Sequence, residues 1–359
     1  MKILIPILGF GRAGGNRVLS QLANEWIKQG HIVDFLSPNS SEDPYFPTSA
    51  GIIWVDSAGN ISKIRGDKAK SSGWYHIKSL YRGLNEIGRK YDVIFANHSL
   101  TAWPVAVTFC EKAKKFYYIQ AYEPEYYTNT KTIKGYLLAL VSALSYHLPL
   151  KRIVNSPIYF CYKNVRSSQF VPPGLDLLNF KPDEIKNNFE HEKPIIIGCI
   201  GRHEPEKGTI YVLQAFEQLY KKDSRFLLRV AYGNLPEQWW HDRCEVILPK
   251  NDQELADYYR SLDILVAPGT VQHGAPHYPV LEAGACGVAV ITTGYMGATP
   301  ETAWIVKNKN VDEIIKSVID IVSDNKQRNE KRAKFLDESK NYSWEYVSEK
   351  MLVIFEQRG

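Results

Sequence analysis

The stretch IIIGCIGRHEPEKGT, residues 195–209, decides the architecture. Its first six positions are an unbroken apolar run, the signature of a strand buried on both faces of a parallel sheet. A turn carrying Gly201, Arg202, Lys207 and Gly208 follows, and from Thr209 the pattern turns helical through residue 221. Strand, glycine-bearing turn and helix open a βαβ unit. Further strands are predicted at 227–231, 245–248, 263–267 and 288–292. The same opening stands at the start of the chain, where a strand at 3–8 meets a glycine cluster. A helix then carries Val18, Leu19, Leu22, Ala23, Trp26 and Ile27 on one stripe, with Gly30 at its C′ position. Strands at 31–36, 51–55, 91–96 and 116–119 continue it. The fold class is therefore α/β, with two open parallel sheets in tandem.

The polar run DEIKNNFEHEK at 183–193 reads as the linker between them. It divides the chain into domains 1–182 and 183–342. A final helix from about 343 to 359 places Trp344, Val347, Met351 and Ile354 on one stripe.

The 359 residues are 44% hydrophobic and 23% charged, ordinary values that exclude disorder, collagen and repeat arrays. No apolar run reaches the roughly 18 residues of a membrane span. The opening MKILIPILGFG lacks a small-residue cleavage site and reads as a strand, not a signal peptide. Cys110, Cys161, Cys199, Cys244 and Cys286 are scattered, without a C-x-x-C pair. They argue against a disulfide framework or a zinc site and suit a reducing cytosol, so cytoplasmic localisation is expected. The net charge of +5 is uneven: residues 1–180 hold 21 Lys/Arg against 12 Asp/Glu, or +9. A basic first half suggests an anionic partner, phosphates or a lipid surface, with solubility as the plainer alternative. Residues 132–150 (TIKGYLLALVSALSYHLPL) are the most apolar segment, flanked by Lys131, Lys134, Lys151 and Arg152. The favoured expectation is a helix buried in the first domain, the alternative an interfacial helix.

Gly9-Phe-Gly11-Arg-Ala-Gly14 fits G-x-G-x-x-G between a strand and a helix, and Asp34 lies on the next strand. By rule this is a dinucleotide fingerprint, so a nicotinamide-dependent oxidoreductase is one reading. Glycines at a helix start also admit any diphosphate, and the Gly14-Gly15 pair is the best candidate for that contact. In the second domain, Arg202 and Lys207 put two cations at a helix start that already carries partial positive charge. A bound anion would reverse that cost; compensation by Glu204 and Glu206 is the alternative. Pro279 suits a first helical turn. Glu282 in that turn either complements the helix dipole at the surface or accepts hydrogen bonds from two sugar hydroxyls.

Taken together these residues resemble a GT-B glycosyltransferase of glycosyltransferase family 4, over essentially the whole chain. The carriers are Gly14-Gly15; Val171-Pro-Pro-Gly174-Leu-Asp176; Gly201-Arg202 with Pro205-Glu-Lys207-Gly208; Pro279-Val-Leu-Glu282-Ala-Gly-Ala-Cys-Gly287; residues 294–301; and Tyr342-Ser-Trp344. The resemblance implies two Rossmann-like domains facing across a cleft, with the last helix crossing back to the first domain. It implies retention of anomeric configuration, no metal and no cofactor, the nucleotide sugar being a substrate. UDP-glucose is the expected type of donor and a hydroxyl of a glycan or glycolipid in polysaccharide synthesis the acceptor. Peripheral membrane contact through the basic first domain is expected, and nucleic acid is not. Arg202 and Lys207 would hold the donor diphosphate and Glu282 the ribose. Gly14 and Gly15 would approach the phosphates, and Leu248 the base. His273, Gly274, Ala275, Tyr278, Val280 and Leu281 would complete the donor site. Tyr122, Glu123 and His98 are the candidate catalytic groups of the first domain. The chain departs from the family pattern at Gly274, where a second Glu is usual, and near Tyr122, where a His is frequent. A subgroup in bacterial surface-polysaccharide assembly has a similar I-Q-x-Y-E-P run and a His/Pro-rich loop before its Glu. A nucleotide-sugar-binding protein with degenerate catalysis is the remaining alternative.

Overall fold

The computed structural model describes residues 1–12, 14–65, 73–110, 112–167, 169–183 and 193–357. Two compact units emerge, Met1–Gly174 with Trp344–Gly359, and Leu175–Ser343. Nearly all of the expected linker at 183–193 lies outside the described residues. The units part at Gly174, ahead of the expected 182/183 boundary, because Leu175 and Phe180 are buried in the second unit's core. There the Leu175 N–H donates to the Tyr342 carbonyl at 2.6 Å.

The first unit holds β1 (Lys2–Pro6), α1 (Gly14–Lys28), β2 (Ile32–Pro38), β3 (Gly51–Val55), β4 (Ile61–Ser62), α2 (Gly73–Ile87), β5 (Val93–Ala96), α3 (Ser99–Val107), β6 (Lys114–Ile119), α4 (Glu123–Asn129), α5 (Ile133–Ser145), β7 (Lys151–Val154) and β8 (Gln169–Phe170). Its sheet runs β4-β3-β2-β1-β5-β6-β7-β8, and only the β3–β4 pair is antiparallel. β1, β5 and β6 bury nearly every side chain, as strands covered on both faces must. Gly30 ends α1 with φ +85°, a left-handed residue that glycine adopts without strain.

α5 corrects the expectation of a buried helix. Its inward face is made of small residues, Gly135, Ala139, Ser142 and Ser145. A Cβ at Gly135 would stand 2.0 Å from Thr130 Oγ1. The large apolar side chains Ile133, Tyr136, Leu137, Leu140 and Leu144 face outward and are exposed. Close approach to α3 and α4 leaves room inside only for small groups.

The second unit holds β9 (Ile195–Ile200), α6 (Thr209–Lys222), β10 (Phe226–Ala231), β11 (Cys244–Ile247), α7 (Asp252–Arg260), β12 (Ile264–Ala267), α8 (Tyr278–Ala285), β13 (Ala289–Thr292), β14 (Trp304–Ile305), α9 (Val311–Ser323) and α10 (Asn325–Ser339). All strands are parallel in the order β11-β10-β9-β12-β13-β14. One core cluster packs α6 and α9 on one face of the sheet; the other packs α7, α8 and α10 on the opposite face. The last helix, α11 (Trp344–Glu356), belongs to the first unit, where Trp26 Nε1 donates to the Ser348 carbonyl at 3.2 Å. Among the described residues no helix is long and apolar enough to cross a membrane.

Candidate functional site

In the second unit the strand order reverses at β9, whose neighbours are β10 and β12. Loops leaving the carboxyl ends of strands at such a reversal are where open parallel sheets bind ligands. The loop after β9 begins at Gly201, where a Cβ would stand 1.6 Å from the Gly233 carbonyl oxygen, so only glycine fits. Thr209 Oγ1 accepts from the Arg202 N–H at 3.1 Å and donates to the Arg202 carbonyl at 3.0 Å, closing the turn. Gly208 lies at φ +76°, and a Cβ there would stand 2.4 Å from the Pro268 carbonyl oxygen. The loop after β12 is tied to this turn, because the Thr270 N–H donates to the Glu206 carbonyl at 2.8 Å. Arg202, Lys207 and the residues before α8 thus lie on one fixed surface.

Two cations and two acids share that turn, and they are buried to different degrees. Arg202 is exposed, with Nε 4.0 Å from Glu204 Oε2. Lys207 is half-buried. Burial first and the Arg202 guanidinium second pull its ammonium below the ordinary lysine range, and Glu204 and Glu206 offset only part of this. At Lys207 burial and Arg202 together outweigh the two acids. His277, which precedes α8, is subject to the same field. Burial, then Lys207, then Arg202 push its imidazole down to about 3, so the ring is neutral at physiological pH. Its Nδ1 is buried without a hydrogen-bond partner among the described residues. A desolvated ammonium, an adjacent guanidinium and an unpaired imidazole nitrogen form a site that an anion with acceptor and donor oxygens would complete.

Glu282 is 3% exposed, so the surface helix-dipole reading fails. Its Oε2 accepts from Tyr259 O–H at 2.9 Å. Tyr259 is fully buried, and that burial together with the Glu282 charge holds its phenol well above the ordinary range, as a proton donor only. The carboxylate is thereby fixed in orientation, as recognition of a diol requires.

The loop residues are placed less simply. Gly274 lies at φ +86° with its N–H donated to the Gly294 carbonyl at 2.6 Å. The Ala275 N–H donates to Gln272 O at 3.0 Å, and the Val280 and Leu281 N–H groups donate to His277 O at 3.0 and 3.3 Å. These amides are committed within the loop, and the Val280 and Leu281 side chains are fully buried. His273 Nε2 sits 3.3 Å from Gly269 O, Tyr278 packs partly into the core, and Leu248 is exposed just beyond β11. The structure thus brings Arg202, Lys207 and His277 together. His277 and Tyr259 were missed by the sequence reading. His277 had a signal, a second histidine just before Pro279; Tyr259 had none, since only the tertiary fold carries α7 to α8.

In the first unit the order reverses at β1, between β2 and β5. Gly14 opens α1, and a Cβ there would meet nothing within 4 Å; one at Gly15 would stand 3.2 Å from Gln120 Nε2. His98 follows β5 and caps α3: its Nδ1 accepts from the Leu100 N–H at 3.0 Å. In the neutral ring Nε2 then carries the proton, and it stands 3.4 Å from both Glu123 Oε2 and Tyr127 Oη. Glu123 also accepts from the Ser99 N–H at 2.9 Å and from the Ser99 hydroxyl. His98 and Glu123 are therefore paired. Tyr122 is not part of that pair: its ring stacks on Tyr162 at 4.0 Å and its Oη accepts from Asn164 Nδ2 at 3.0 Å.

Asp34 corrects the oxidoreductase reading. A ribose-binding acid belongs at the carboxyl end of the second strand. Asp34 is the third residue of β2, paired with Leu4 and Gly51, and its Oδ2 accepts from Tyr91 O–H at 2.8 Å.

Residues 180–341 match the family described as Glycosyl transferases group 1. No curated protein matches the chain by sequence. Among solved structures it is similar to the sucrose-phosphate synthase of Thermosynechococcus elongatus, with 18% identity, TM-score 0.74, and 99% of this chain and 98% of that chain covered. It is also similar to Anabaena HepE in complex with UDP and glucose, with 14% identity, TM-score 0.69 and both chains covered at 100%. A third likeness is to WaaG, a glycosyltransferase involved in lipopolysaccharide biosynthesis, with 14% identity, TM-score 0.70, and 99% and 100% covered. The chain has the GT-B fold, and its second unit carries a group 1 glycosyltransferase domain.

Proposed function

We propose that the protein is a retaining, metal-independent glycosyltransferase of family 4. It moves a sugar from a UDP-sugar such as UDP-glucose to a hydroxyl of a glycan or glycolipid in polysaccharide synthesis. The observation that carries this reading is the half-buried Lys207 with Arg202 and the unpartnered His277 nitrogen in the loops after β9 and β12, with the buried, oriented Glu282 on the helix that follows His277. Breaking the glycosidic bond leaves negative charge on the diphosphate, which fixed cations stabilise without reorganisation. Glu282 takes the ribose hydroxyls while Tyr259 holds its other oxygen. The acceptor proton passes to the departing diphosphate, and the His98–Glu123 pair orients the acceptor. Gly14 and Gly15 keep the start of α1 open to the donor phosphates. HepE, of the same fold, binds UDP and glucose, which supports the choice of base.

Calorimetry with UDP, with NAD as the control, tests the donor. Product from UDP-glucose and a glycolipid extract tests transfer, the coupling constant of the new anomeric proton tests retention, and activity after exhaustive chelation tests metal independence. Absence of UDP binding would overturn the reading at its root. UDP binding without any transfer would leave only a binding protein.

A further inference from the structure

We propose that the Tyr232 ring, at the carboxyl end of β10, is the platform on which the base of the donor nucleotide stacks. This rests on the nucleotide-sugar reading and extends it to a residue outside every motif that carried it. Three residues in a row after β10 are left-handed: Tyr232 at φ +65°, Gly233 at +67° and Asn234 at +50°. Glycine and asparagine take that conformation readily; tyrosine, with its Cβ against the following carbonyl oxygen, takes it at a cost. Such a cost persists where the surrounding structure imposes it, and it concentrates at ligand sites. Three contacts impose it here. The Tyr232 N–H donates to the Ile247 carbonyl at 2.8 Å, and Asn234 Nδ2 donates to the Gly201 carbonyl at 3.0 Å. The Gly233 carbonyl oxygen fills the space that a Cβ at Gly201 would need. Glycine at 232 would make this turn without strain. A ring placed there for the core would be covered, yet Tyr232 is 40% exposed.

The position in the sheet points to the base. Arg202 and Lys207 lie in the loop after β9, and β10 and β11 are the next strands outward from it. Tyr232 follows β10 and bonds to Ile247, the last residue of β11. Leu248, the next residue, is 65% exposed. The Tyr232–Asn234 turn is also tied directly to Gly201, the residue before the first cation. An aromatic face and an apolar side chain at adjacent strand ends, next to a loop with two cations, suit a flat heterocycle joined to a diphosphate. The sugar end of the donor is the competing occupant, and the choice of ligands below separates the two.

Titration calorimetry of the full chain with UDP, UDP-glucose and inorganic pyrophosphate provides the test. Tyr232→Gly weakens UDP and UDP-glucose alike, by about 5- to 150-fold for one stacked base, and leaves pyrophosphate within about twofold. Tyr232→Asn, also at ease in a left-handed backbone, does the same. Tyr232→Phe keeps the ring face and binds UDP within about twofold of wild type. A thermal melt confirms that each variant is folded. If the wild type binds UDP and Tyr232→Gly binds it equally well, this inference alone is overturned. An equal loss for pyrophosphate overturns it as well, because the turn would then act through the phosphate loop. So does a loss confined to UDP-glucose, which would put the sugar on the ring, or a loss in Tyr232→Phe as large as in Tyr232→Gly. A wild type that binds no UDP overturns the nucleotide-sugar reading itself.

Discussion

Lys207→Ala separates a ligand site from a structural turn, because the two readings move stability in opposite directions. In the ligand-free protein the Lys207 ammonium is held against burial and Arg202 repulsion, and both depress its basicity. Removing it relieves both, so Tm is unchanged or raised. With UDP bound, the same ammonium would donate a charged hydrogen bond in a half-desolvated position, about 1.5–3 kcal/mol. At about 1.4 kcal/mol per decade the variant binds UDP roughly 10- to 150-fold more weakly. Uridine lacks the phosphates and loses less than about twofold, within additivity error. Titration calorimetry with UDP and uridine, alongside a thermal melt, reads all three. UDP affinity within twofold of wild type, or a Tm several degrees lower, would refute the argument, since the lysine would then hold the fold together.

Three further outcomes follow from the same geometry. Tyr259→Phe removes the hydroxyl that donates to a buried Glu282 oxygen, and urea unfolding should show a loss of about 1–3 kcal/mol; Glu282→Gln instead abolishes discrimination between UDP and 2′-deoxy-UDP. The His277 pKa lies near 3, below its unfolded value of about 6.5, so above pH 6.5 the residue contributes no pH dependence. As pH falls from 6.5 toward 3 the unfolded chain takes a proton that the folded one refuses, and stability drops by up to about 1.4 kcal/mol per unit. That slope, taken as wild type minus His277→Asn, should flatten when UDP supplies a neighbouring anion; an identical slope in the variant removes the assignment. Gly208→Ala forces a side chain into a left-handed backbone against the Pro268 carbonyl and should cost at least about 1–2 kcal/mol in urea, where a change under 0.5 would refute it.

Periodicity carried the architecture a long way. β3 spans 51–55 as expected, and Trp344, Val347, Met351 and Ile354 are buried on α11. Periodicity says that a helix has two faces but not which one meets the protein, and α5 reversed the usual choice because α3 and α4 approach its glycine and serine side closely. The glycine motif and Asp34 suggested a dinucleotide, yet spacing along the chain does not state the end of β2 at which Asp34 sits. The Arg202–Lys207 pair was legible from helix electrostatics. The partial burial of Lys207 was not, because the Thr270–Glu206 bond that fixes the surrounding loops joins segments far apart in sequence. The same distance hid Tyr259 from Glu282.

The return of α11 to the first unit has a consequence for biosynthesis. Phe355 packs against Trp26, Phe95 and Phe116 at 5.5, 5.4 and 4.7 Å. Those rings lie in the earliest part of the polypeptide, and the partner that seals them leaves the ribosome only after the whole of residues 175–343. At 5–20 residues per second the nascent amino-terminal sheet waits about ten to thirty seconds with that seam open. Throughout that interval it is a natural client for chaperones, and translation slowed within the intervening stretch lengthens its exposure.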